Sequence, residues 1–202
     1  MQLYYAPGAC SLASHIALQE SGLPYQAVRV NLRDKKTSDG TDFNTINRKG
    51  YVPALKLDSG EVLTEGSVLL AYIGELQPTR QLIAASGTLE NYRVREWLAF
   101  IGTELHKTVS PLFNPKTPEA TRAMQVEAFK GRLRYVQEAL GGRPFLVGDR
   151  FSVADAYLFT VLNWCGHLHI DLGEFPQLKA YYERIKARPA VQTVLKSEAA
   201  PN

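Results

Sequence analysis

The chain has 202 residues, of which 45% are hydrophobic and 21% charged, with 23 Lys and Arg against 20 Asp and Glu. This composition is neither polar enough for a disordered chain nor apolar enough for a membrane protein, and we expect no membrane partner. The net charge of +3 is small and the basic residues form no cluster, so we expect no nucleic-acid partner. Two cysteines, no signal-peptide pattern and no bilayer-length apolar run indicate a cytoplasmic protein.

The first part of the chain alternates short strands and helices. The pattern predicts, in chain order, a strand at 3–5, a helix at 10–20, a strand at 26–30, hairpin strands at 54–57 and 61–63, and a helix at 65–76. Gly22 is expected to end the first helix. This order predicts an α/β layer.

After a turn-rich linker at 78–87, the strand patterns disappear. Helical patterns cover 89–113, 118–140, 152–165 and 175–188. We therefore predict an α/β domain at 1–77 and an all-α domain at 88–202. The chain has no dinucleotide fingerprint, phosphate loop, HExxH, CxxC or GxSxG motif, so nucleotide-driven, zinc-hydrolase and α/β-hydrolase chemistries lack their usual residues.

Cys10 stands at the start of the first predicted helix, next to Ser11. Unpaired N–H groups and a partial positive charge at a helix N-terminus favour a thiolate over a thiol. A thiolate there is a nucleophile or forms a mixed disulfide with a small thiol. The alternative for Cys10 is a small buried apolar residue, which is our interpretation of Cys165.

Two further segments could bind parts of a peptide. A cis bond before Pro53 would turn the Val52 backbone outward as an edge for an extended ligand, whereas a trans proline that ends a loop is the alternative. Glu65, Gly66 and Ser67 open the next helix, where amides and a hydroxyl suit a carboxylate and Glu65 suits an ammonium. Plain helix capping is the alternative there.

The helical region carries two polar patterns. Thr103, His106, Lys107 and Ser110 share one face of the helix predicted at 89–113, and either a solvated face or a site explains them. The run 152–155 matches a capping box before an apolar stretch, which predicts a structural role.

Seven segments together resemble the bacterial beta-class glutathione S-transferases over essentially the whole chain. They are 1–18 (MQLYYAPGACSLASHIAL), 35–37 (KKT), 47–53 (NRKGYVP), 63–66 (LTEG), 96–98 (EWL), 103–107 (TELHK) and 152–158 (SVADAYL). The resemblance implies a thioredoxin-like N-terminal domain with a cis proline at Pro53, an all-α C-terminal domain and a homodimer. It also implies no cofactor: glutathione is the co-substrate, bound between the domains, and small apolar electrophiles are the second partner.

The resemblance also implies roles for single residues at matching positions. The implied glutathione-binding residues are Cys10, Ser11, Lys35, Val52, Pro53, Glu65, Gly66, Ser67, Thr103, Glu104, His106 and Lys107. Cys10 would lie beside the glutathione sulfur, and His106 would orient or deprotonate it, so these two are the implied catalytic residues. Lys35 would hold the glycyl carboxylate, and some contacts would cross the dimer interface.

One departure concerns Ala99, which stands where the beta class often has asparagine, so we expect weaker or rearranged glutathione contacts on that side. For the electrophile, we expect an apolar pocket near Cys10 that includes Phe113 and Trp164.

The leading functional hypothesis is conjugation of the glutathione thiolate to apolar electrophiles, with Cys10 able to form a mixed disulfide with glutathione. The alternatives are a glutaredoxin-like thiol–disulfide oxidoreductase that uses Cys10, and a non-catalytic ligand carrier.

Overall fold

The N-terminal part is built on a five-stranded sheet with the strand order β3-β2-β1-β4-β5. The computed structural model describes residues 1–200. The strands are β1 (Gln2–Tyr5), β2 (Gln26–Asn31), β3 (Lys36–Thr37), β4 (Ala54–Lys56) and β5 (Val62–Thr64). β1 and β2 are parallel, and the other neighbours are antiparallel, with Leu3 of β1 opposite Leu55 of β4.

Helices cover both faces of this sheet. They are α1 (Ser11–Ser21), α2 (Phe43–Ile46) and α3 (Gly66–Leu76). Because side chains alternate along β1, Leu3 and Tyr5 pack into the core formed with α1 and α3. Tyr4 points to the opposite face and contacts Phe43 of α2, with ring centroids 5.7 Å apart. The sheet therefore lies between two hydrophobic layers.

The predicted N-terminal elements are confirmed to within one or two residues at most ends. Gly22 ends α1 in the left-handed conformation, with φ of 70°, as expected of a glycine C-cap. The sequence did not predict β3 and α2, which lie inside the segment read as a loop. Each is shorter than the window in which a hydrophobic period becomes visible.

The rest of the described chain is helical. Its helices are α4 (Leu89–Phe100), α5 (Lys107–Val109), α6 (Glu119–Leu140), α7 (Val153–His167), α8 (Pro176–Lys186) and α9 (Pro189–Ala199). Between α4 and α5 the chain forms a π-helical segment, Ile101–His106, so the helix predicted at 89–113 is continuous but not uniform. Within residues 1–200, none of the helices combines the length and apolar character that crossing a membrane requires.

The capping box predicted at 152–155 is present and begins the buried helix α7. The Asp155 carboxylate accepts hydrogen bonds from the Ser152 N–H and hydroxyl, both at 2.8 Å. It also accepts from the Leu146 N–H at 2.9 Å and the Tyr181 hydroxyl at 2.8 Å. Four donors around one buried carboxylate fix the entry angle of α7, which packs against α1.

The sequence did not predict α9, because Pro189 was read as the end of the helical region. Proline is compatible with the first turn of a helix, where the missing N–H has no intrahelical acceptor, and Pro189 begins α9 in this way. Glu198 near the end of α9 lies 2.8 Å from the Nδ1 atom of His15 on α1 and accepts the Gly8 N–H at 2.9 Å. The last helix thus holds the loop that precedes Cys10.

Candidate functional site

A cleft of about 420 Å³ lies where the sheet domain meets the π-helical segment. Its volume is within the range of about 300–1,000 Å³ that is typical of small-molecule sites. The lining residues are Cys10, Ala13, Tyr51, Val52, Pro53, Glu65, Gly66, Ser67, Leu70, Ala99, Gly102, Thr103, His106, Lys107 and Tyr157. They come from five separate stretches of the chain, which only the fold brings together.

Cys10 precedes the first turn of α1, and its thiol donates to the Val52 carbonyl at 3.2 Å. Burial raises the pKa of the Cys10 thiol to about 11. The backbone N–H groups of Cys10 and Ser11 and the positive charge of Lys107 lower it only in part. This differs from the expectation that the helix N-terminus favours a thiolate here, because the cost of desolvating the sulfur is larger than the stabilisation by the amides.

The peptide bond between Val52 and Pro53 is cis, as the resemblance implied. Val52 is buried and lines the cleft beside Cys10, directly before β4. The backbone of this turn therefore faces the same space as the thiol.

Glu65 lines the opposite wall and is held by two neighbours. The Lys49 ammonium donates to its Oε1 atom at 2.5 Å and to the Thr64 hydroxyl at 2.9 Å, and the Tyr51 hydroxyl donates to the same carboxylate oxygen at 3.1 Å. The hydrogen bond from Lys49 lowers the pKa of Glu65, which is therefore ionised at neutral pH. Glu65 has a φ of 70°, a left-handed backbone conformation that is uncommon outside glycine.

The first turn of α3 carries Gly66 and Ser67, which also line the cleft. N–H groups of a first helical turn have no intrahelical acceptor and can bind an anion. The Ser67 hydroxyl itself donates to the Leu98 carbonyl at 3.0 Å, which fastens α3 to α4. The Ser67 hydroxyl is therefore engaged with α4, and the backbone N–H groups are the donors that this turn leaves available.

The π-helical segment and the residue after it supply Thr103, His106 and Lys107. π-Helical turns are rare and frequently occur at functional sites. The Nδ1 atom of His106 lies 2.7 Å from the Tyr157 hydroxyl on α7. Burial, and secondarily the charge of Lys107, lower the pKa of His106 to about 4, so the ring is neutral at pH 7. Ser110 does not line the cleft, and its hydroxyl donates to the His106 carbonyl at 2.6 Å.

An aromatic cluster adjoins this wall. The Trp164 ring packs against His106 at 4.9 Å, and the half-exposed Phe113 meets Trp164 edge-on at 5.5 Å. The Trp164 indole N–H donates to the Gly8 carbonyl at 2.8 Å. Apolar surface therefore continues from His106 towards solvent, beside the loop that leads into Cys10.

Neither Phe113 nor Trp164, which were expected in the electrophile pocket, lines the cleft, and three of the expected glutathione-binding residues do not line it either. The Ser11 hydroxyl is fully buried and bonded to the Ala6 backbone, so it is not available to a ligand thiol. The Lys35 ammonium donates to the Gly50 carbonyl at 2.7 Å. Glu104 points away and pairs with Arg132 of α6 at 2.8 Å.

Sequence reasoning assigned no role to Lys49, Tyr51 or Tyr157. Lys49 and Tyr51 stand in the loop before Pro53, and Tyr157 stands inside an apolar helix that was read as structural. Each of them acts on a residue far away in the sequence. No local pattern signals such a contact.

A larger groove of about 860 Å³ lies elsewhere, between the end of α3, the linker and the loop before α7. Glu75, Ile83, Glu90 and Asp149 are among its lining residues, but neither cysteine nor any histidine is. Within residues 1–200, no cluster of His, Cys, Asp and Glu could hold a metal ion. The smaller cleft is therefore the one of the two that contains a thiol and an imidazole, from Cys10 and His106.

Comparisons with known proteins agree with this geometry. Residues 8–76 match the family profile "Glutathione S-transferase, N-terminal domain", and residues 100–189 match "Glutathione S-transferase, C-terminal domain". Glutathione S-transferase GstA of Escherichia coli O157:H7 is 44% identical over 98% of both chains.

Two solved structures are similar over nearly their whole length. A sphingomonad glutathione S-transferase complexed with glutathione is 45% identical, with a TM-score of 0.97 and coverage of 100% of both chains. The bacterial beta-class enzyme of Sphingomonas chungbukensis is also 45% identical, with a TM-score of 0.95 over 98% of this chain and 99% of the other. This chain belongs to the glutathione S-transferase family, within its bacterial beta class.

Proposed function

We propose that the cleft binds glutathione and transfers its sulfur, as a thiolate, to an electrophilic carbon of a small apolar compound. The observation that carries this proposal is one cleft that combines a carboxylate, a helix N-terminus and an ammonium around a buried sulfur and a neutral imidazole. A tripeptide with an amino-acid head group, a thiol and a terminal carboxylate is complementary to that set.

For the head group, Glu65 is the partner of the γ-glutamyl ammonium. The amides of Gly66 and Ser67 are the partners of its carboxylate, since the first turn of α3 attracts anions. The Val52 backbone pairs with the cysteinyl residue, beside Pro53 and Cys10. Lys35 reaches the glycyl carboxylate by turning its ammonium away from the Gly50 carbonyl.

The chemical step starts with loss of the proton from the glutathione S–H group. The thiolate is stabilised by the charge of Lys107 and by a hydrogen bond from His106. The Thr103 hydroxyl in the same wall donates to the Ala99 carbonyl at 3.1 Å. Its electron pair forms the new S–C bond, and the leaving group departs with the electron pair of the bond to that carbon. The half-exposed Phe113, which packs on the buried Trp164, supplies apolar surface for the second substrate.

Steady-state kinetics of thioether formation test the binding mode. Glu65→Gln is expected to raise the KM for glutathione about tenfold at similar kcat, because it removes a charge-assisted contact made equally in ground and transition states. Glu61→Gln, an exposed change in the turn before β5, is the matched control and is expected to behave as wild type. An unchanged KM in Glu65→Gln would contradict the assignment.

We also propose that two copies form a homodimer in the cytoplasm. A shallow groove of about 360 Å³ between α3 and α4 shares Ser67 and Ala99 with the cleft, and the exposed Val68 borders it. A second copy covering this groove would bury apolar surface and would lie next to the cleft, which Glu104 could then reach from the other protomer. Cys10 and Cys165 are free thiols, which supports a reducing compartment.

The thiol–disulfide alternative rests on Cys10. In that reaction the Cys10 thiolate attacks glutathione disulfide, a Cys10–glutathione disulfide forms, and one glutathione thiolate leaves. The raised pKa of Cys10 makes this step slow at neutral pH. Conjugation therefore remains the better-supported reaction.

A further inference from the structure

The contact between His106 and Tyr157 lies in the wall of the cleft and is largely buried on the Tyr157 side. Tyr157 is 4% exposed, its hydroxyl lies 2.7 Å from Nδ1 of His106, and the two rings meet edge-on at 86°. Trp164 packs against the same imidazole, so the ring is confined between two aromatic residues of α7.

The protons on this pair follow from its burial. Burial lowers the pKa of His106 to about 4 and raises the pKa of Tyr157 well above its usual value, so both groups are neutral at pH 7. A buried phenol donates its single proton, and His106 is the acceptor within reach. If Nδ1 carried the proton instead, the Tyr157 hydroxyl proton would be left without this acceptor in a buried position, which costs free energy.

We propose that Tyr157 is a positioning residue that fixes His106 with its proton on Nε2, so that His106 donates a hydrogen bond to the glutathione sulfur and does not take its proton. The inference rests on the proposed function, since it needs glutathione in the cleft. It assigns Tyr157 a role that acts through His106, and of the two roles expected of His106, orienting or deprotonating the thiol, it selects the first. The sulfur's proton then leaves to solvent.

The surrounding charges are compatible with a neutral donor. The titratable groups that face the pair are Cys10 at the start of α1, Glu65 before α3 and Lys107 beside His106. Lys107 disfavours a second positive charge on the imidazole, while it favours a thiolate in the same cleft. A neutral imidazole N–H that donates to the sulfur stabilises the thiolate further, and it places no second positive charge beside Lys107.

The test measures the pKa of glutathione bound to the intact protein, from the ultraviolet absorbance of its thiolate as a function of pH. Tyr157→Phe keeps the ring but removes the hydroxyl that is bonded to Nδ1. We expect the pKa of the bound thiol to rise by about one unit, which leaves about tenfold less thiolate at pH values below the pKa. The KM for glutathione is expected to stay within about twofold, because binding groups are untouched. Tyr182→Phe removes a tyrosine hydrogen bond outside the cleft and is the matched control.

A second pair of variants separates donor from base. Glutamine has an N–H donor and no basic nitrogen, so His106→Gln is expected to keep more of the low thiol pKa than His106→Ala. Tyr157→Phe is expected to add no further shift in the His106→Gln background. A Tyr157→Phe protein with the wild-type thiol pKa, or His106→Gln as impaired as His106→Ala, would overturn the inference. A wild-type protein that shows no bound thiolate would overturn the proposed function, and the inference with it.

Discussion

The chemistry of the site depends on how few charges face the sulfur. Cys10 is protonated at neutral pH because its sulfur is desolvated, and His106 is uncharged for the same reason. Lys107 is the cation that lines the cleft from the described chain. The positive potential at the glutathione sulfur therefore comes from Lys107 and from backbone amides.

The raised pKa of Cys10 has a measurable consequence for disulfide exchange. With a pKa of about 11, about one Cys10 in 10⁴ is a thiolate at pH 7, and this fraction rises about tenfold per pH unit up to the pKa. We expect the rate of mixed-disulfide formation with glutathione disulfide to rise accordingly, as followed by intact mass. Cys10→Ala should form no adduct, whereas Cys165→Ala should form it at the wild-type rate. A rate that levels off near pH 7 would contradict the assigned pKa.

The Lys49 ammonium is bonded to the Glu65 carboxylate, which is the proposed partner of the γ-glutamyl ammonium. Because Lys49 and the substrate carry the same charge, they compete for Glu65. We expect Lys49→Met to lower the KM for glutathione about two- to fivefold, a small change because exposed ion pairs are weak.

An analogue of glutathione without the amino group provides the control for Lys49. It should gain nothing from Lys49→Met, since it has no ammonium to place on Glu65. Lys56→Met, on the exposed side of β4, should leave both ligands unaffected. Weaker glutathione binding in Lys49→Met would mean that the lysine contacts the substrate instead of competing with it.

At the scale of elements, the sequence shows the hydrophobic periods of regular helices. It does not show which residues far apart in the chain come into contact. The hydrophobic spacing in α1 and α3 and the capping box of α7 predicted these elements closely. The π-helical turn at Ile101–His106 has no sequence signature separate from an α-helix, although it sets the position of His106. The partnership of α9 with the Gly8 loop joins residues 190 positions apart, so no local pattern could indicate it.

The buried Glu198 contact predicts that α9 contributes strongly to stability. Glu198→Ala removes the acceptor of both the His15 ring and the Gly8 N–H, and we expect a loss of about 2–4 kcal/mol in the free energy of unfolding. Chemical denaturation measures this loss. Glu96→Ala, which breaks the exposed pair with Arg93, is expected to cost no more than about 0.5 kcal/mol. Equal losses in the two variants would contradict this role of Glu198 and α9.

At the scale of the whole molecule, the sequence predicted the fold class and most of the cleft. The residues of the cleft that were predicted stand mostly in segments that carry the resemblance to the beta class, such as 63–66 and 103–107. Ser11 and Glu104 were expected at the site but lie outside it in one protomer, since side-chain direction is set by packing. Lys49 and Tyr157 required the assembled structure.

The proposed dimer predicts a coupling between assembly and binding. Val68→Glu places a charge in the exposed groove beside the cleft. We expect it to shift the sedimenting species from twice the 22.5 kDa chain mass to the chain mass, and to weaken glutathione binding. Leu32→Glu, at another exposed apolar position beyond β2, is the control. A wild-type chain that sediments as a monomer would contradict the dimer.

The central claim is that the attacking sulfur belongs to glutathione and that Cys10 is not the nucleophile of conjugation. The most direct test is the initial rate of thioether formation from glutathione and chlorodinitrobenzene, measured for the wild type and Cys10→Ala side by side. We predict a saturable, enzyme-dependent rate that the variant retains within about threefold, since glutathione's contacts with Glu65 and the α3 amides are unchanged. A wild-type rate no higher than the uncatalysed background, or its loss in Cys10→Ala, would contradict this account.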